Sequence, residues 1–196
     1  MPRTPRIAEY LLGASVIFTV AMSVRDGTPL ELAVAAIPLV VGILLLLERP
    51  LRRPGSLGQT MASLPAMALA GPVLAAAAPW PRWDASIILM LASGVILTVV
   101  SLATLGRSFG VLPAARRPVD RGPYRWIRHP AYLGQLLILA ACGLSTSPQM
   151  GGLIAIAAIP ILGLRIRAEE QLLGGEWPVY REYMERVRWR LFPLVW

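Results

Sequence analysis

The sequence predicts an all-α protein, a polytopic transmembrane helix bundle. Hydrophobic residues make up 56% of its 196 residues, and the mean hydropathy is +0.60. Only 15% of the residues are charged, whereas a soluble domain usually carries about 25%. The charges are concentrated between long uncharged stretches, which is typical of a chain that crosses a bilayer repeatedly.

Each predicted transmembrane helix corresponds to an apolar run, because roughly 17–25 apolar residues are needed to cross the hydrocarbon core. The last two runs are short and meet at Thr146-Ser147-Pro148, which predicts a tight helical hairpin. Five spans is the alternative count. The six predicted spans are Ala8–Val24, Leu30–Leu47, Met61–Pro79, Ser86–Leu105, Ala131–Ser145 and Gln149–Leu164.

The arginines predict the orientation. All 19 basic residues are Arg. With six spans and a cytosolic N-terminus, only Arg25 and Arg82 fall on the opposite side, and the other 17 are cytosolic. Cytosolic loops of membrane proteins carry such an excess of basic residues. We therefore expect an integral membrane protein with both termini and its charged face in the cytosol.

Composition also argues against several classes of function. The net charge of +8 could indicate nucleic-acid binding, but so apolar a chain rarely presents a basic groove to nucleic acid. Arginines that flank membrane spans account for the same charge more simply. A single cysteine, Cys142, rules out an intrachain disulfide and a cysteine-based metal site. One histidine and scattered carboxylates predict no metal site of any kind.

The segment from Gly106 to Pro130 is longer than an ordinary connection, which indicates a functional loop. Gly122-Pro123 and His129-Pro130 predict a turned and extended backbone rather than a helix there. It contains His129, the only histidine. The neighbouring side chains suit a polar or anionic ligand at the cytosolic surface, although an arginine cluster that contacts lipid phosphates is the alternative. These neighbours are Tyr124, Arg125, Arg128 and Tyr132.

The second polar segment follows the last predicted span. Glu169 and Glu170 lie near the expected bilayer boundary, where ionisable residues are functional candidates. Glu169 is also four residues after Arg165, so a surface ion pair is the simpler interpretation. Beyond Gly174-Gly175, we expect an interfacial amphipathic helix that starts near Pro178. Its predicted apolar stripe contains Val179, Tyr183, Val187 and Leu191.

Three elements of these segments resemble the isoprenylcysteine carboxyl methyltransferase and phospholipid methyltransferase superfamily. Arg128-His129-Pro130-Ala131-Tyr132-Leu133-Gly134, preceded by Gly122-Pro123-Tyr124-Arg125, is similar to its R-H-P-x-Y-x-G signature. Upstream, Leu105-Gly106-Arg107-Ser108-Phe109 resembles an L-G-R-x-aromatic element. Downstream, the order of the matching residues resembles an E-E-x-x-L…Y-x-x-Y-x-x-R-V ending: Glu169, Glu170, Leu173, Tyr180, Tyr183, Arg186 and Val187.

The resemblance covers about residues 95–196 and implies a methyltransferase that uses S-adenosylmethionine. It implies that residues 95–196 form a membrane-embedded core and residues 1–94 a transmembrane scaffold, within one structural domain. Glu170 is a candidate base, and Arg186 is a candidate partner for an anionic substrate group. The implied cofactor-binding residues are Tyr124, Arg128, His129, Pro130, Tyr132, Gly134, Glu169, Glu170, Tyr180 and Tyr183.

The expected substrate is a lipophilic small molecule, reached from the membrane lipids, and carboxyl O-methylation of an isoprenylcysteine-like or other lipophilic acid is the first expectation. Phospholipid N-methylation and thiol S-methylation are the alternatives within this class. An NADPH-dependent membrane reductase and a non-enzymatic lipid-binding protein are the alternatives of another class. The sequence gives no prediction of the oligomeric state.

Overall fold

The computed structural model describes residues 29–46, 53–54, 56–59, 83–109 and 114–196, together with the single positions 14, 17, 61 and 65. Two short 3-10 helices cover Gly106–Ser108 and Gly122–Arg125. The two-residue strands β1 (Arg53–Pro54) and β2 (Ala114–Ala115) pair antiparallel, with Arg53 opposite Ala115. The α-helices are α1 (Pro29–Leu46), α2 (Ala85–Leu105), α3 (Pro130–Thr146), α4 (Pro148–Glu176) and α5 (Pro178–Arg186).

The predicted helical fold class is confirmed, and the number of membrane spans is not. Four predicted spans coincide with α1, α2, α3 and the first part of α4. The predicted spans Ala8–Val24 and Met61–Pro79 lie almost entirely outside the described residues. Within the described residues, two helical stretches are long and apolar enough to cross a membrane, Ala85–Ser108 and Pro148–Glu176. Helix α2 continues unbroken through residues 94 and 95, and the division of the chain there stays a prediction.

Helix α2 has a well-defined start. The side chain of Asp84 accepts hydrogen bonds from the backbone N–H groups of Ser86 at 2.9 Å and Ile87 at 3.0 Å. These bonds satisfy donors that have no partner inside the first turn of a helix. The hydrogen bond from the Ser86 side chain is the main cause that lowers the pKa of Asp84. The helix ends at Gly106, whose φ of 51° few other residues adopt without strain.

Helices α2 and α3 approach each other most closely at glycines. A Cβ added to Gly134 would lie 2.7 Å from the carbonyl oxygen of Gly94 and 2.8 Å from the backbone nitrogen of Thr98. The same addition to Gly94 would reach the carbonyl oxygen of Gly134 at 2.8 Å. Only residues without a side chain permit this approach, and small residues commonly line helix contacts of membrane proteins. The contact fixes the first turns of α3 against α2.

The predicted hairpin between α3 and α4 is confirmed. Ser147 alone separates the two helices, and its hydroxyl caps α4 by accepting a hydrogen bond from the backbone N–H of Met150 at 3.1 Å. Gly143 and Gly151 face each other across the turn: a Cβ on Gly143 would lie 2.9 Å from the Cα of Gly151. The absence of side chains at these two positions allows so short a connection.

Helix α4 continues past the end of the predicted span. It extends twelve residues beyond Leu164, to Glu176. The predicted span ended at Leu164 because Arg165 is the first charged residue after the apolar run, and charges are costly in a bilayer. Arg165, Ile166 and Glu170 are nevertheless buried, since other parts of the protein cover this end of the helix.

Helix α5 starts at Pro178 as predicted, but its predicted apolar stripe is only partly right. Tyr183, Val187 and Leu191 are buried as expected, whereas Val179 is exposed and Tyr180 is buried instead. The helix also ends at Arg186, so Val187 and Leu191 lie beyond it. The four-residue spacing was misleading because the chain changes direction after Arg186. The turned backbone predicted at Gly122-Pro123 contains a short 3-10 helix, so the predicted absence of helix there is also wrong.

Large apolar side chains cover the outer faces of α2 and α4. On α2, Leu89 and Ile96 are 68% and 63% exposed, and Ile156 on α4 is 73% exposed. Rows of exposed aliphatic residues on long apolar helices are unfavourable in water and favourable in lipid. These faces agree with a membrane protein.

Candidate active site

The segment before α3 is held by the chain that follows α5. The backbone N–H of Arg128 donates to the carbonyl of Trp189 at 2.8 Å, and that of His129 donates to the carbonyl of Arg190 at 2.9 Å. The Arg128 side chain also donates to the carbonyl of Arg188 at 3.2 Å. Pro130 then begins α3 and is fully buried, at a position where proline is favourable. Residues 60 and 61 positions apart are thereby fixed next to each other.

Three cationic or polar side chains surround the carboxylate of Glu170, which is itself buried. Its Oε1 lies 3.1 Å from an Arg128 guanidinium nitrogen and 3.2 Å from His129 Nε2, and its Oε2 accepts from Arg190 Nε at 2.9 Å. Two guanidinium groups favour the ionised carboxylate, which can only accept hydrogen bonds. His129 therefore donates from Nε2, and neutral His129 carries its lone pair on Nδ1.

Glu169 belongs to a second buried network, beside the first. The Tyr132 hydroxyl donates to Oε1 of Glu169, and Arg165 Nε donates to the Tyr132 hydroxyl at 2.7 Å. Arg165 Nε also lies 3.4 Å from Oε1 of Glu169. The rings of His129 and Tyr132 stack with centroids 5.6 Å apart, so the two networks are in contact. The ion pair between Arg165 and Glu169 forms as the sequence predicted, but it is largely buried rather than on the surface.

The two adjacent carboxylates differ in what remains available. Both oxygens of Glu170 are occupied by protein donors. In contrast, no described residue donates to Oε2 of Glu169, and 23% of that side chain is exposed. Glu169 is therefore the carboxylate that a ligand can reach. Glu170 instead has a structural role, because it joins Arg128 and His129 to Arg190. The sequence prediction of Glu170 as a base stays untested, but its two occupied oxygens disfavour that role.

The Glu170 network has an excess of positive charge. Two guanidinium groups, those of Arg128 and Arg190, share the single carboxylate of Glu170. That carboxylate alone does not balance both of them. The Nε atom of Arg128 is also buried and has no hydrogen-bond partner among the described residues. A buried donor without a partner is costly, so the site favours an anionic or acceptor-rich ligand.

Three tyrosines line the side of the site formed by α5 and the short 3-10 helix. Tyr124, Tyr180 and Tyr183 are all buried. The Tyr183 hydroxyl donates to the backbone carbonyl of Tyr124 at 2.8 Å, which joins α5 to the loop. Burial raises the pKa of Tyr124 and Tyr180 well above the ordinary value, and the carboxylates of Glu169 and Glu170 raise these two pKa values further. Both phenols are therefore neutral at physiological pH.

Most of the predicted site residues lie together, and two do not. Arg186 is exposed and pairs with Asp120 at 2.6 Å, on the surface between α5 and the loop. Gly134 contacts α2 through Gly94 and Thr98, which gives it a packing role. No observation tests whether Arg186 contacts a substrate or Gly134 a cofactor, so both assignments stay predictions.

Sequence reasoning missed Arg190 altogether and undervalued Arg165. Arg190 joins the Glu170 network because the chain after α5 folds back, and no local spacing signals such a long-range contact. Arg165 could have been recognised as a site residue, because it is an arginine directly after an apolar span and one helical turn before Glu169.

Part of this chain is similar to one known family. Residues 86–174 match the model of the Isoprenylcysteine carboxyl methyltransferase (ICMT) family. The predicted family resemblance is confirmed over this range. The range includes both networks except Arg190, since it contains the R-H-P segment and the adjacent carboxylates. The ICMT family is one of membrane methyltransferases.

Two curated proteins are similar to parts of this chain. One is the cobalt-zinc-cadmium resistance protein CzcN of Cupriavidus metallidurans, 33% identical over 110 residues, which are 54% of this chain and 51% of that protein. The other is the nickel-cobalt-cadmium resistance protein NccN of Alcaligenes xylosoxydans xylosoxydans, 31% identical over 114 residues, with 54% and 52% covered. This chain spans about half the length of the curated relatives it matches.

Proposed function

We propose that this protein is a membrane methyltransferase that uses S-adenosylmethionine and methylates the carboxylate of a lipophilic acid. The observation that carries the proposal is the pair of adjacent carboxylates near the C-terminal end of α4. Glu170 is fully occupied by Arg128, His129 and Arg190, while Glu169 keeps one oxygen for a ligand. The family match over residues 86–174 supports methyl transfer as the reaction.

The polar groups of the site fit S-adenosylmethionine. The accessible oxygen of Glu169 is suited to accept hydrogen bonds from ribose hydroxyls, and the buried Arg128 Nε is suited to an acceptor such as the cofactor's carboxylate. When bound, the cofactor supplies a methyl group on a positively charged sulfur. Three of the residues that the resemblance implies for cofactor binding are joined through Tyr132. Its ring stacks on His129, and its hydroxyl donates to Glu169.

The same network supports a carboxylate as the acceptor. Methylation of a carboxylate releases no proton, so no general base is required, and positioning supplies most of the rate enhancement. An amine or thiol acceptor must lose a proton, and Glu170 cannot receive it because both of its oxygens are occupied. The base would then have to be His129 or Glu169, whose free oxygen the ribose of the cofactor would use. The excess positive charge of Arg128 and Arg190 over Glu170 also favours an anionic acceptor.

A lipophilic substrate follows from where the site is located. The two networks lie at the end of apolar helices whose outer faces carry Leu89, Ile96 and Ile156 in exposed positions. An apolar tail that stays among the helices would leave its anionic head near the guanidinium groups of Arg128 and Arg190, at the boundary of the bilayer. The arginine distribution supports placing this boundary on the cytosolic side, where the cofactor is made.

Phospholipid N-methylation and thiol S-methylation are the second choice within this proposal, with Glu169 or His129 Nδ1 as the base. The names of the two relatives refer to metal resistance and name no reaction, so they do not select among acceptors. An NADPH-dependent reductase and a non-enzymatic lipid-binding protein are the alternatives of another class, and nucleotide binding distinguishes them.

A methyl-transfer assay tests the proposal directly. The purified protein in detergent is incubated with S-adenosylmethionine labelled in the methyl group and with lipid extract, and the labelled product is treated with mild base. A methyl ester releases labelled methanol under base, whereas N-methyl and S-methyl products keep their label. We expect base-labile label. Base-stable label would show that the acceptor is an amine or a thiol rather than a carboxylate. If no methyl group is transferred and the protein binds NADPH, the proposal of a methyltransferase is wrong.

A further inference from the structure

The two most exposed large apolar side chains among the described residues lie next to each other, in the segment that follows α5. Leu194 is 84% exposed and Val195 is 79% exposed. They belong to a short turn, Phe192–Trp196, which we call the apolar turn. Adjacent aliphatic side chains that point away from the protein are unfavourable in water. Such a pair indicates a contact with an apolar surface outside the protein.

Backbone hydrogen bonds hold the apolar turn in one shape. The N–H groups of Val195 and Trp196 donate to the carbonyl of Phe192 at 3.2 and 3.1 Å. The backbone oxygen of Trp196 accepts in turn from the N–H of Arg190 at 2.9 Å. Leu194 has a φ of 68°, a conformation that residues other than glycine adopt rarely. The hydrogen bonds on both sides of Leu194 thus fix its side chain on the outside of the turn.

The position of Trp196 identifies the surface that lies beside the apolar turn. A Cβ added to Gly163 would lie 3.5 Å from Cη2 of Trp196, so the indole packs directly on α4. Gly163 is the last residue but one of the predicted span, and Leu164 beside it is 55% exposed. Leu194 precedes Trp196 by two residues, so their Cα atoms are at most about 7 Å apart. The turn therefore adjoins the end of the apolar outer face of α4.

We infer that the apolar turn inserts into the bilayer, where Leu194 and Val195 contact lipid acyl chains. The occupant is lipid rather than another protein, because the turn continues the outer face of a helix that is long and apolar enough to cross a membrane. An indole is also favourable at the headgroup level, which is the depth of Trp196 in this arrangement. The guanidinium of Arg190 lies over this indole and donates to Glu170, so the membrane contact adjoins the charged network.

Site-directed fluorescence measures the depth of the apolar turn. Cys142 is the only cysteine and is buried, so the parent protein treated with a thiol-reactive nitrobenzoxadiazole reagent is the blank. Leu194→Cys and Val195→Cys each place the label on the turn. Glu182→Cys, at an exposed position of α5, is the matched control. Each labelled protein is reconstituted in phosphatidylcholine nanodiscs, and its fluorescence is quenched either by a lipid with a doxyl group on its acyl chain or by iodide in the buffer.

We expect the doxyl lipid to quench the label at positions 194 and 195 at least twice as strongly as at position 182, and iodide to quench it at most half as strongly. Equal quenching by iodide at all three positions would overturn the inference. Protection from both quenchers would overturn it as well, because protein rather than lipid would then cover the turn. These measurements require neither cofactor binding nor methyl transfer, so the inference stands or falls independently of the proposed function.

Discussion

Arg190 donates a hydrogen bond from Nε to Oε2 of Glu170 at 2.9 Å. It thereby connects the chain that follows α5 to the charged end of α4. The guanidinium group also lies over the ring of Trp196, 5.4 Å from its centroid. Glu170 depends on this contact, because its other oxygen is shared by Arg128 and His129. The residue that completes the network thus lies outside the range that matches the ICMT family model.

Arg190→Ala should weaken cofactor binding by about tenfold. Without Arg190, the Glu170 carboxylate loses one of the hydrogen bonds that orient it, and His129, which is bonded to the same carboxylate, is then less well oriented. A loss of stability should also occur, but it should be small because 32% of the Arg190 side chain is exposed to solvent. Arg190→Lys should restore part of the affinity. Arg188→Ala is the matched control, since its side chain is exposed and only its backbone carbonyl is used. Equal affinities of Arg190→Ala and Arg188→Ala, measured by calorimetry, would contradict this role.

Arg165→Met should destabilise the protein strongly, because Glu169 and Tyr132 then lose a buried cationic partner. Breaking a buried ion pair by removing one partner typically costs about 3–5 kcal/mol. The double variant Arg165→Met, Glu169→Gln should recover much of the stability, because no uncompensated charge remains. Thermal unfolding in detergent measures both. A single variant as stable as the parent would show that the pair has no structural role.

Gly134→Ala should prevent correct packing of α3 against α2. The new Cβ would lie 2.7 Å from the Gly94 carbonyl oxygen and 2.8 Å from the Thr98 nitrogen, and these backbone atoms have no room to move. We expect a large loss of folded protein in detergent gel filtration. Gly152→Ala is the control, because nothing lies within 4 Å of an added Cβ there. The control should fold like the parent or gain roughly 0.5–1 kcal/mol. Normal folding of Gly134→Ala would refute the close contact.

Arg186→Ala distinguishes a substrate contact from a surface ion pair. If Arg186 binds the acceptor as the sequence predicted, its removal should raise the KM for the acceptor at least tenfold with little change in stability. Asp120→Asn, which removes only the partner 2.6 Å away, should then leave KM unchanged or lower it. If both variants behave like the parent, Arg186 forms only an exposed ion pair, which is worth about 0–1 kcal/mol.

Much of the fold could be predicted from sequence, because apolar runs and turn residues act locally. The α3–α4 hairpin follows from Ser147-Pro148, and the start of α5 follows from Pro178. The burial of the charged part of α4 past Leu164 could not be predicted in the same way. It depends on contacts of Arg165 with Tyr132, of Glu170 with His129, and of other residues distant in sequence.

The candidate site was predicted as a set of residues but not in its internal organisation. The motif residues His129, Tyr132, Glu169 and Glu170 do lie together. The family resemblance assigned cofactor binding to both Glu169 and Glu170, and it made Glu170 the candidate base. Only the positions of Arg128 and Arg190 reveal that the second is enclosed while the first is accessible.

Binding of S-adenosylmethionine at Glu169 is the most direct test of this account. Calorimetry in detergent would compare the parent with Glu169→Ala and with Glu182→Ala, an exposed glutamate of α5 that serves as the matched control. We expect the parent and Glu182→Ala to bind S-adenosylmethionine with the same Kd, and Glu169→Ala to bind it at least tenfold more weakly. Binding of the cofactor by all three proteins with equal affinity would contradict it.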